Sequence, residues 1–395
     1  MKDNLRIAFY TDSFLPAKDG VVTSVLAYKK ELERRGHRVY IFASGNDDSK
    51  RIAAGRKDVY IVKSIKFKKY PQYNIALFPF STTAKTYRRM DIDIIHAHTP
   101  FSMGAAALVD ARLKKVPLVS TFHTLFSSKY VIREYMPAGR ITEKILSKYA
   151  WEYARFFYNR CDAVISPSET MTALLKRHSI AGAHTVPNGI DLLRFSGSHR
   201  SSGRLRNKLT NGNRKAKVIL YLGRISREKR IETLIKAAHG LRKSGQNAVV
   251  IVAGTGPALN YYKNIASRMG LDKVVRFVGF VPDRQVPAYY AACDVFCLPS
   301  TFETQGIAAI EALASGKPVV AADSLALTEL IKNGRNGEKF RPGDWRGCER
   351  KIEKVINHSA SYKEMESTAQ KFSIESVTDR LLDVYRDVLD NFDNN

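Results

Sequence analysis

At 395 residues the chain is too long for one ordinary core, and with 44% hydrophobic residues it has the composition of a globular protein of two domains, each of about 180 residues. No apolar run reaches the roughly 18 residues of a spanning helix, and Met1-Lys2-Asp3 runs straight into LRIAFYTD, so neither a membrane span nor a secretory leader is expected. The net charge of +26 is concentrated in residues 51–250, which hold 37 basic against 12 acidic residues; it favours a polyanionic partner, such as an acidic membrane face, a nucleic acid or a phosphate-rich substrate, over a generally basic surface with no such partner.

Short β-rich apolar runs alternate with helical patterns, as in parallel sheets covered by helices. In the first half, strands are predicted at LRIAFYT, RVYIFAS, DVYIVKS, DIIHAHT, PLVSTFHT, AVISPS and AHTVPN. Between them VTSVLAYKKELERRG reads as a helix closing on Gly36, and SMGAAALVDARLKK as one ending before Pro117. The segment PNGIDLLRFSGSHRSSGRLRNKLTNGNRKAK, rich in Ser, Gly and Asn, reads as a linker or an exposed basic loop. The strand pattern then restarts with KVILYLGR, AVVIVAGTG, VVRFVGF, VFCLPS and KPVVAAD, which gives two doubly wound units in tandem. In the last segment Ile374, Val377, Leu381, Val384, Tyr385 and Val388 recur at helical spacing and predict a closing amphipathic helix. Cys293 and Cys297 lie in apolar AACDVFCLPS without further ligands nearby, so buried free thiols in a reducing compartment are expected rather than zinc.

Ligands of open α/β sheets bind beyond the carboxyl ends of the strands, so residues just after each strand are the candidates. Gly20, in TDSFLPAKDGVVTSV, lets backbone N–H groups approach a phosphate or sugar at a helix start, or serves the turn alone. His98 and His123 each follow an apolar strand, where a neutral imidazole can bond a sugar hydroxyl or simply be satisfied by the fold. Arg224 ends a strand and Lys229 lies near the next helix start, a pair of cations able to neutralise a diphosphate. GFVPDRQVPAYYAACD offers a turn whose main chain could hold a base. In STFETQGIAAIEALASGKPVVAAD, Gly306 permits a tight helix entry and Gly316 with Pro318 ends the helix. Glu303 precedes that helix and Glu311 lies inside it among apolar residues, where a carboxylate needs a partner such as ribose hydroxyls. A general acid/base pair is the weaker reading, since a loop residue and a helix residue do not obviously flank one bond. Asp91 and Asp93, in MDIDIIHAH, imitate a metal-binding DxD but precede a buried strand.

Taken together, GRISREK, ETQGIAAIE, PNGID and the TFHT strand end resemble the retaining glycosyltransferases of family 4 over almost the whole chain, in the family's order. The resemblance implies the GT-B fold: two Rossmann-like doubly wound domains facing a central cleft. It implies an acceptor domain at 1–195, a nucleotide-sugar donor domain at 196–374, and a terminal helix of about 375–395 returning to the first. The residues matching Arg224 and Lys229 hold the donor diphosphate, the one matching Glu311 holds the ribose, and those matching Glu303 and His123 contact the donor sugar. N–H groups matching Gly306 and Ile307 touch phosphate or sugar, and Gly20 belongs to the donor loop. Two positions depart from the common pattern: Asp19-Gly20 replaces a double glycine, and Gln305 replaces an aromatic residue. The ETQG form is similar to that of membrane-associated glycolipid glycosyltransferases.

The expected enzyme is a retaining, metal-independent hexosyltransferase that needs no cofactor beyond its nucleotide-diphosphate sugar. Its expected acceptor is a membrane lipid or lipid-linked hydroxyl, and its expected place is the cytoplasmic face of the membrane. Lys63, Lys66, Phe67, Lys68, Lys69 and Tyr70 interleave cations with aromatics in a way that suits an anionic lipid surface, and EKILSKYAWEYARFFYNR does something comparable on a helical pattern; aromatics in the core beside a solvated lysine face are the alternative. A nucleotide-sugar 2-epimerase of the same fold and a nucleic-acid-binding protein without catalysis are the alternatives. The second leaves the two glutamates unexplained, so nucleic acid is not the expected partner.

Overall fold

The structure is a computed structural model that describes residues 4–17, 19–66, 74–77, 79–80, 83, 90–128, 131–132, 139–196 and 202–393, with the backbone alone at Lys66, Arg140 and Asp393. Two compact units emerge, Met1–Gly189 with Ile374–Asn395, and Ile190–Ser373. The division falls a few residues before the expected 195/196 because Ile190 and Phe195 pack into the second unit's core. No helix among the described residues is long and apolar enough to cross a membrane.

In the first unit the strands are β1 (Arg6–Thr11), β2 (Arg38–Gly45), β3 (Val59–Lys66), β4 (Asn74–Ala76), β5 (Ile94–Ala97), β6 (Leu118–Thr121), β7 (Ala163–Ser166) and β8 (Ala183–Thr185). They form one sheet in the order β4-β3-β2-β1-β5-β6-β7-β8, parallel except for the β3–β4 pair. The parallel strands are buried on both faces, so they read as continuous apolar runs rather than alternating ones. β4 escaped the sequence reading because three residues, one of them Asn, carry no strand period.

Asp91 and Asp93 have a structural use: Asp93 Oδ2 accepts from the Arg6 N–H at 2.7 Å and Asp91 pairs with the Arg6 guanidinium at 2.6 Å, tying the starts of β1 and β5 together. The closing helix, Ile374–Asp393, belongs to this unit and buries Val377, Leu381, Val384, Tyr385 and Val388 against the same core as Val25, Tyr28 and Leu32.

The second unit holds β9 (Lys217–Leu222), β10 (Ala248–Ala253), β11 (Val275–Gly279), β12 (Val295–Leu298), β13 (Val319–Ala322) and β14 (Gly337–Phe340), in the parallel order β11-β10-β9-β12-β13-β14. This is the 3-2-1-4-5-6 order of dinucleotide-binding sheets, and it reverses between β9 and β12, where the connections leave to opposite faces and open a crevice. β14 was not anticipated; GEKF is short and half charged.

The expected linker is in part a helix, Ser202–Leu209. Leu209 is buried there, and the Arg206 guanidinium donates to Ala292 O, Ala216 O and Asp294 Oδ2 at 2.8–2.9 Å, which anchors a segment whose Ser, Gly and Asn content suggested none of this. Cys293, Cys297 and Cys348 are buried free thiols, and Cys161 is partly exposed.

Candidate functional site

The β9/β12 reversal collects most of the predicted residues of the second unit. Arg224 follows β9 half-buried, in a loop fastened to its neighbours through the backbone: Gly223 N–H donates to Ala253 O at 3.0 Å, Ile225 N–H to Thr255 O at 2.9 Å, and Ala258 N–H to Ile225 O at 3.0 Å. The contact is so close that a Cβ on Gly254, whose φ is +135°, would stand 1.9 Å from Gly223 O. The Tyr221 hydroxyl donates to Arg224 O at 2.8 Å. Gly254 and Gly256, the fasteners of this loop, were visible in AGTG but not singled out.

Lys229 ends a short 3-10 turn, Arg227–Lys229, and its ammonium donates to Glu303 Oε1 at 2.7 Å. Both side chains are mostly buried, 20% and 16% exposed, so the ion pair is held at a fixed place in the mouth of the sheet. The neighbouring cations are used otherwise: Arg227 lies over the Tyr261 ring and Arg230 pairs with Glu232. Glu228 accepts from Ser226 Oγ through Oε1, while its Oε2 is buried without a hydrogen-bond partner among the described residues.

After β12 the chain turns at Gly306, whose φ of +85° is the left-handed conformation that favours glycine, and enters the helix Ile307–Ala314 without a side-chain cap. An uncapped helix start keeps its first N–H groups and the positive end of its dipole available to an anion. Within this helix Glu311 accepts a hydrogen bond from the Tyr290 hydroxyl at 2.8 Å. Burial raises its pKa to about 7, against the lowering influence of the Tyr290 hydroxyl and of Arg194, while Asp283 adds to the rise. Tyr290 lies in the PAYY stretch expected to approach the nucleotide through its main chain; its side chain is what reaches Glu311.

In the first unit the reversal lies between β1 and β5. Gly20 opens the helix Gly20–Arg34, and Asp19, the departure noted above, caps it by accepting from Val22 N–H at 2.9 Å while taking a bond from Ser13 Oγ at 2.7 Å. Asp12, which sequence reasoning missed, is a buried carboxylate accepting from Thr99 Oγ1 at 2.6 Å, from Ser102 Oγ and from Met103 N–H at 3.0 Å, and so joins this loop to the end of β5.

Three histidines stack across β5 and β6. His96 and His98 have ring centroids 4.2 Å apart, and His98 and His123 5.4 Å. His98 Nδ1 is 3.1 Å from His123 Nε2, and His96 is held between the Tyr385 hydroxyl and Thr121 Oγ1, each at 2.6 Å. Burial lowers the pKa of His123 to about 4 and of His96 to about 3, and it pushes that of His98 well below the usual range, so all three are neutral at pH 7. His98 thus serves as the partner of His123.

Of the proposed lipid surface, Lys63 is exposed on β3, Lys66 is described in its backbone only, and Phe67, Lys68, Lys69 and Tyr70 lie outside the described residues. No cluster of three or more His, Cys, Asp or Glu side chains fit to hold a metal occurs among the described residues.

Comparisons with known proteins agree with this architecture. Residues 18–194 match the family model "Glycosyltransferase Family 4" and residues 205–372 match "Glycosyl transferases group 1". The chain is 33% identical over 342 residues to the alpha-monoglucosyldiacylglycerol synthase of Streptococcus pneumoniae, covering 85% of this chain and 75% of that protein. It is 29% identical over 348 residues to the enzyme of the same name from Acholeplasma laidlawii, covering 86% of each. Among solved structures, Anabaena HepE in complex with UDP and glucose superposes with a TM-score of 0.75 at 21% identity, over 97% of this chain and 100% of that one. That last likeness is one of fold, and the fold is GT-B.

Proposed function

The chain belongs to glycosyltransferase family 4, and from that premise we propose that it transfers a hexose from a nucleotide-diphosphate donor, with retention, to the hydroxyl of a lipid or lipid-linked acceptor. One observation carries the donor half of this reading: a mostly buried Lys229–Glu303 pair at the sheet reversal, followed by an uncapped helix start at Gly306 and by Glu311 within that helix. The names of the two synthases reported above support the acceptor half.

In this reading the donor's ribose hydroxyls donate to the Glu311 carboxylate, which Tyr290 steadies. Its diphosphate lies toward Arg224, Lys229 and the N–H groups of Gly306 and Ile307. As the sugar–oxygen bond breaks, charge grows on the diphosphate; two fixed cations and a helix dipole meet it, and they supply stabilisation that a metal ion would otherwise provide. Glu303 orients Lys229 in the free protein and turns to the sugar hydroxyls when the donor enters. No side chain is assigned as a nucleophile. In the first unit neutral His123 offers a ring nitrogen to a sugar hydroxyl, with His98 fixing its tautomer, and Gly20 presents backbone N–H at the loop after β1.

The test is a thermal-shift screen of nucleotide sugars on the whole chain, followed by transfer to dispersed diacylglycerol, glycosylated diacylglycerols and soluble alcohols, with the anomeric configuration of the product read by NMR. An α-linked glycolipid from an α-linked donor is the expected outcome. An inverted product sinks the retention claim; failure of every donor to shift the melting temperature or to be consumed sinks the enzyme reading.

A further inference from the structure

Asp12 follows β1 and is 1% exposed, and both of its carboxylate oxygens and both of its backbone polar groups are bonded to other segments of the first unit. Its Oδ2 accepts from Thr99 Oγ1 at 2.6 Å while its N–H donates back to the same oxygen at 2.9 Å, so Thr99, two residues past β5, is held twice. Its Oδ1 accepts from Ser102 Oγ and from Met103 N–H at 3.0 Å. Its carbonyl accepts from Ser44 Oγ, near the end of β2, at 2.9 Å and from Asn74 N–H, at the start of β4, at 3.4 Å. Ser102 Oγ accepts in turn from Ala76 N–H at 2.9 Å. One residue thus joins the ends of β1, β2 and β5 to β4 and to the start of the helix Ser102–Lys114.

That helix has no cap of its own, since Phe101 stands at its N-cap position; the Asp12 carboxylate takes its second N–H from 91 residues away and meets the positive end of its dipole. Capping alone does not call for this, because an Asp or Ser in place of Phe101 would do it locally without taking a carboxylate out of water. Burial raises the Asp12 pKa, and the Ser102 and Thr99 hydroxyls and the Met103 N–H oppose the rise. What a local cap could not do is hold Thr99. Thr99 directly follows His98, whose Nδ1 lies 3.1 Å from His123 Nε2. Asp93 gives the contrast: it ties β1 to β5 at their opposite ends, through Arg6 N–H at 2.7 Å, away from the histidine rings.

We propose that Asp12 is a positioning residue of the transfer step: it clamps the loop after β1 to the loop after β5 and so holds His98, and through it the His123 ring, in the place and tautomer that meet the donor sugar. The proposal rests on the glycosyltransferase reading above and adds which residue sets the sugar-facing edge of the first unit. Asp12 itself, buried and fully engaged, touches no substrate; it acts through Thr99 and the two imidazoles.

The experiment compares the wild type with Asp12→Ala, Asp12→Asn, Thr99→Val and Asp93→Ala in the whole chain, below the lowest melting temperature of the set. It reads kcat for transfer, the thermal shift given by UDP and GDP, and NMR of the imidazole nitrogens in histidine-labelled protein. Asp12→Ala and Thr99→Val should each lower kcat by roughly tenfold to a hundredfold and move the His98 and His123 nitrogen signals, with the response to UDP and GDP unchanged. Asp12→Asn, which keeps an oxygen for Ser102 and Met103 and offers an N–H to Thr99, should restore most of both. Asp93→Ala should lower the melting temperature and leave kcat and the imidazole signals at their wild-type values. Histidine signals that stay unmoved in Asp12→Ala and Thr99→Val overturn the proposal, and so does a kcat loss in Asp93→Ala equal to theirs. Should Asp12→Ala fail to fold, Thr99→Val carries the same comparison. A wild type that consumes no donor, with histidine signals that move in the variants, refutes the enzyme reading and leaves the positioning standing; normal transfer with unmoved signals does the reverse.

Discussion

The ammonium of Lys229 reaches across 74 residues of sequence to donate to Glu303 Oε1 at 2.7 Å, joining the end of the β9 loop to the mouth of β12. Each residue is also proposed to face the donor, so the pair is a preorganised element that the substrate divides. Lys229→Met and Glu303→Gln should each lower kcat by roughly a hundredfold or more, and the double variant should be little worse than the poorer single one, because the two act as a unit. Glu303→Gln should retain most of the thermal shift given by the nucleotide alone. Additive losses in the double variant would show that the residues act independently.

With its proposed contact to the ribose, Glu311 should make donor binding sensitive to pH near neutrality. With its pKa raised to about 7, it is largely protonated below that pH, whereas ribose hydroxyls donate best to the ionised form. The affinity for a nucleotide-diphosphate sugar, whose phosphates do not titrate in this range, should fall by up to about tenfold per unit as pH drops below about 7. Glu311→Gln should bind more weakly with a flat profile. Tyr290→Phe should move the midpoint upward, since the tyrosine hydroxyl favours the carboxylate. The stability term has the opposite slope: a raised folded pKa stabilises fully below the unfolded value, and this is lost as pH rises through about 7. Titration calorimetry across pH checks the binding claim; an identical slope in Glu311→Gln would remove the carboxylate from it.

Acid should unfold the first unit through its histidine stack. The folded state holds His96 and His98 neutral with depressed pKa values, while the unfolded chain protonates them near pH 6.5. Their stabilising contribution is complete above that value and is lost as pH falls, by about 1.4 kcal/mol per histidine for each unit below it. His98→Asn should flatten the dependence of melting temperature on pH between about 7 and about 5. Tyr385→Phe, which leaves His96 Nδ1 without its partner on the closing helix, should cost about 1–3 kcal/mol at neutral pH.

Gly254 is the position where backbone meets backbone beneath Arg224. Gly254→Ala should destabilise the second unit by about 2–4 kcal/mol, since both the φ of +135° and the 1.9 Å approach to Gly223 O oppose a Cβ. If the unit survives, nucleotide affinity should fall as the Arg224 loop shifts. A variant with unchanged melting temperature and affinity would mean that the loops part without cost.

Legibility in the sequence followed the range of the interaction. Gly306 announced its helix entry because a left-handed φ restricts the residue type locally, and Val377, Leu381 and Tyr385 announced the closing helix through their spacing. The helix Ser202–Leu209 did not show, since Arg206 is anchored by carbonyls and a carboxylate up to 88 residues away. Tyr290 could not be tied to Glu311, nor Tyr385 to His96, because contacts across 21 and 289 residues leave no periodic trace.

By itself, then, the sequence determined the alternation of strands and helices, the two doubly wound units and which charged residues stand at strand ends, all consequences of local backbone preference and apolar period, while the family followed from the resemblance of its motifs. Only the tertiary structure decided which strand ends become neighbours, and with that the pairing of Lys229 with Glu303, the neutrality of the histidines and the rise in the Glu311 pKa. Those properties depend on burial and on partners brought together by strand order, and desolvation acts on a group only after the chain has closed around it.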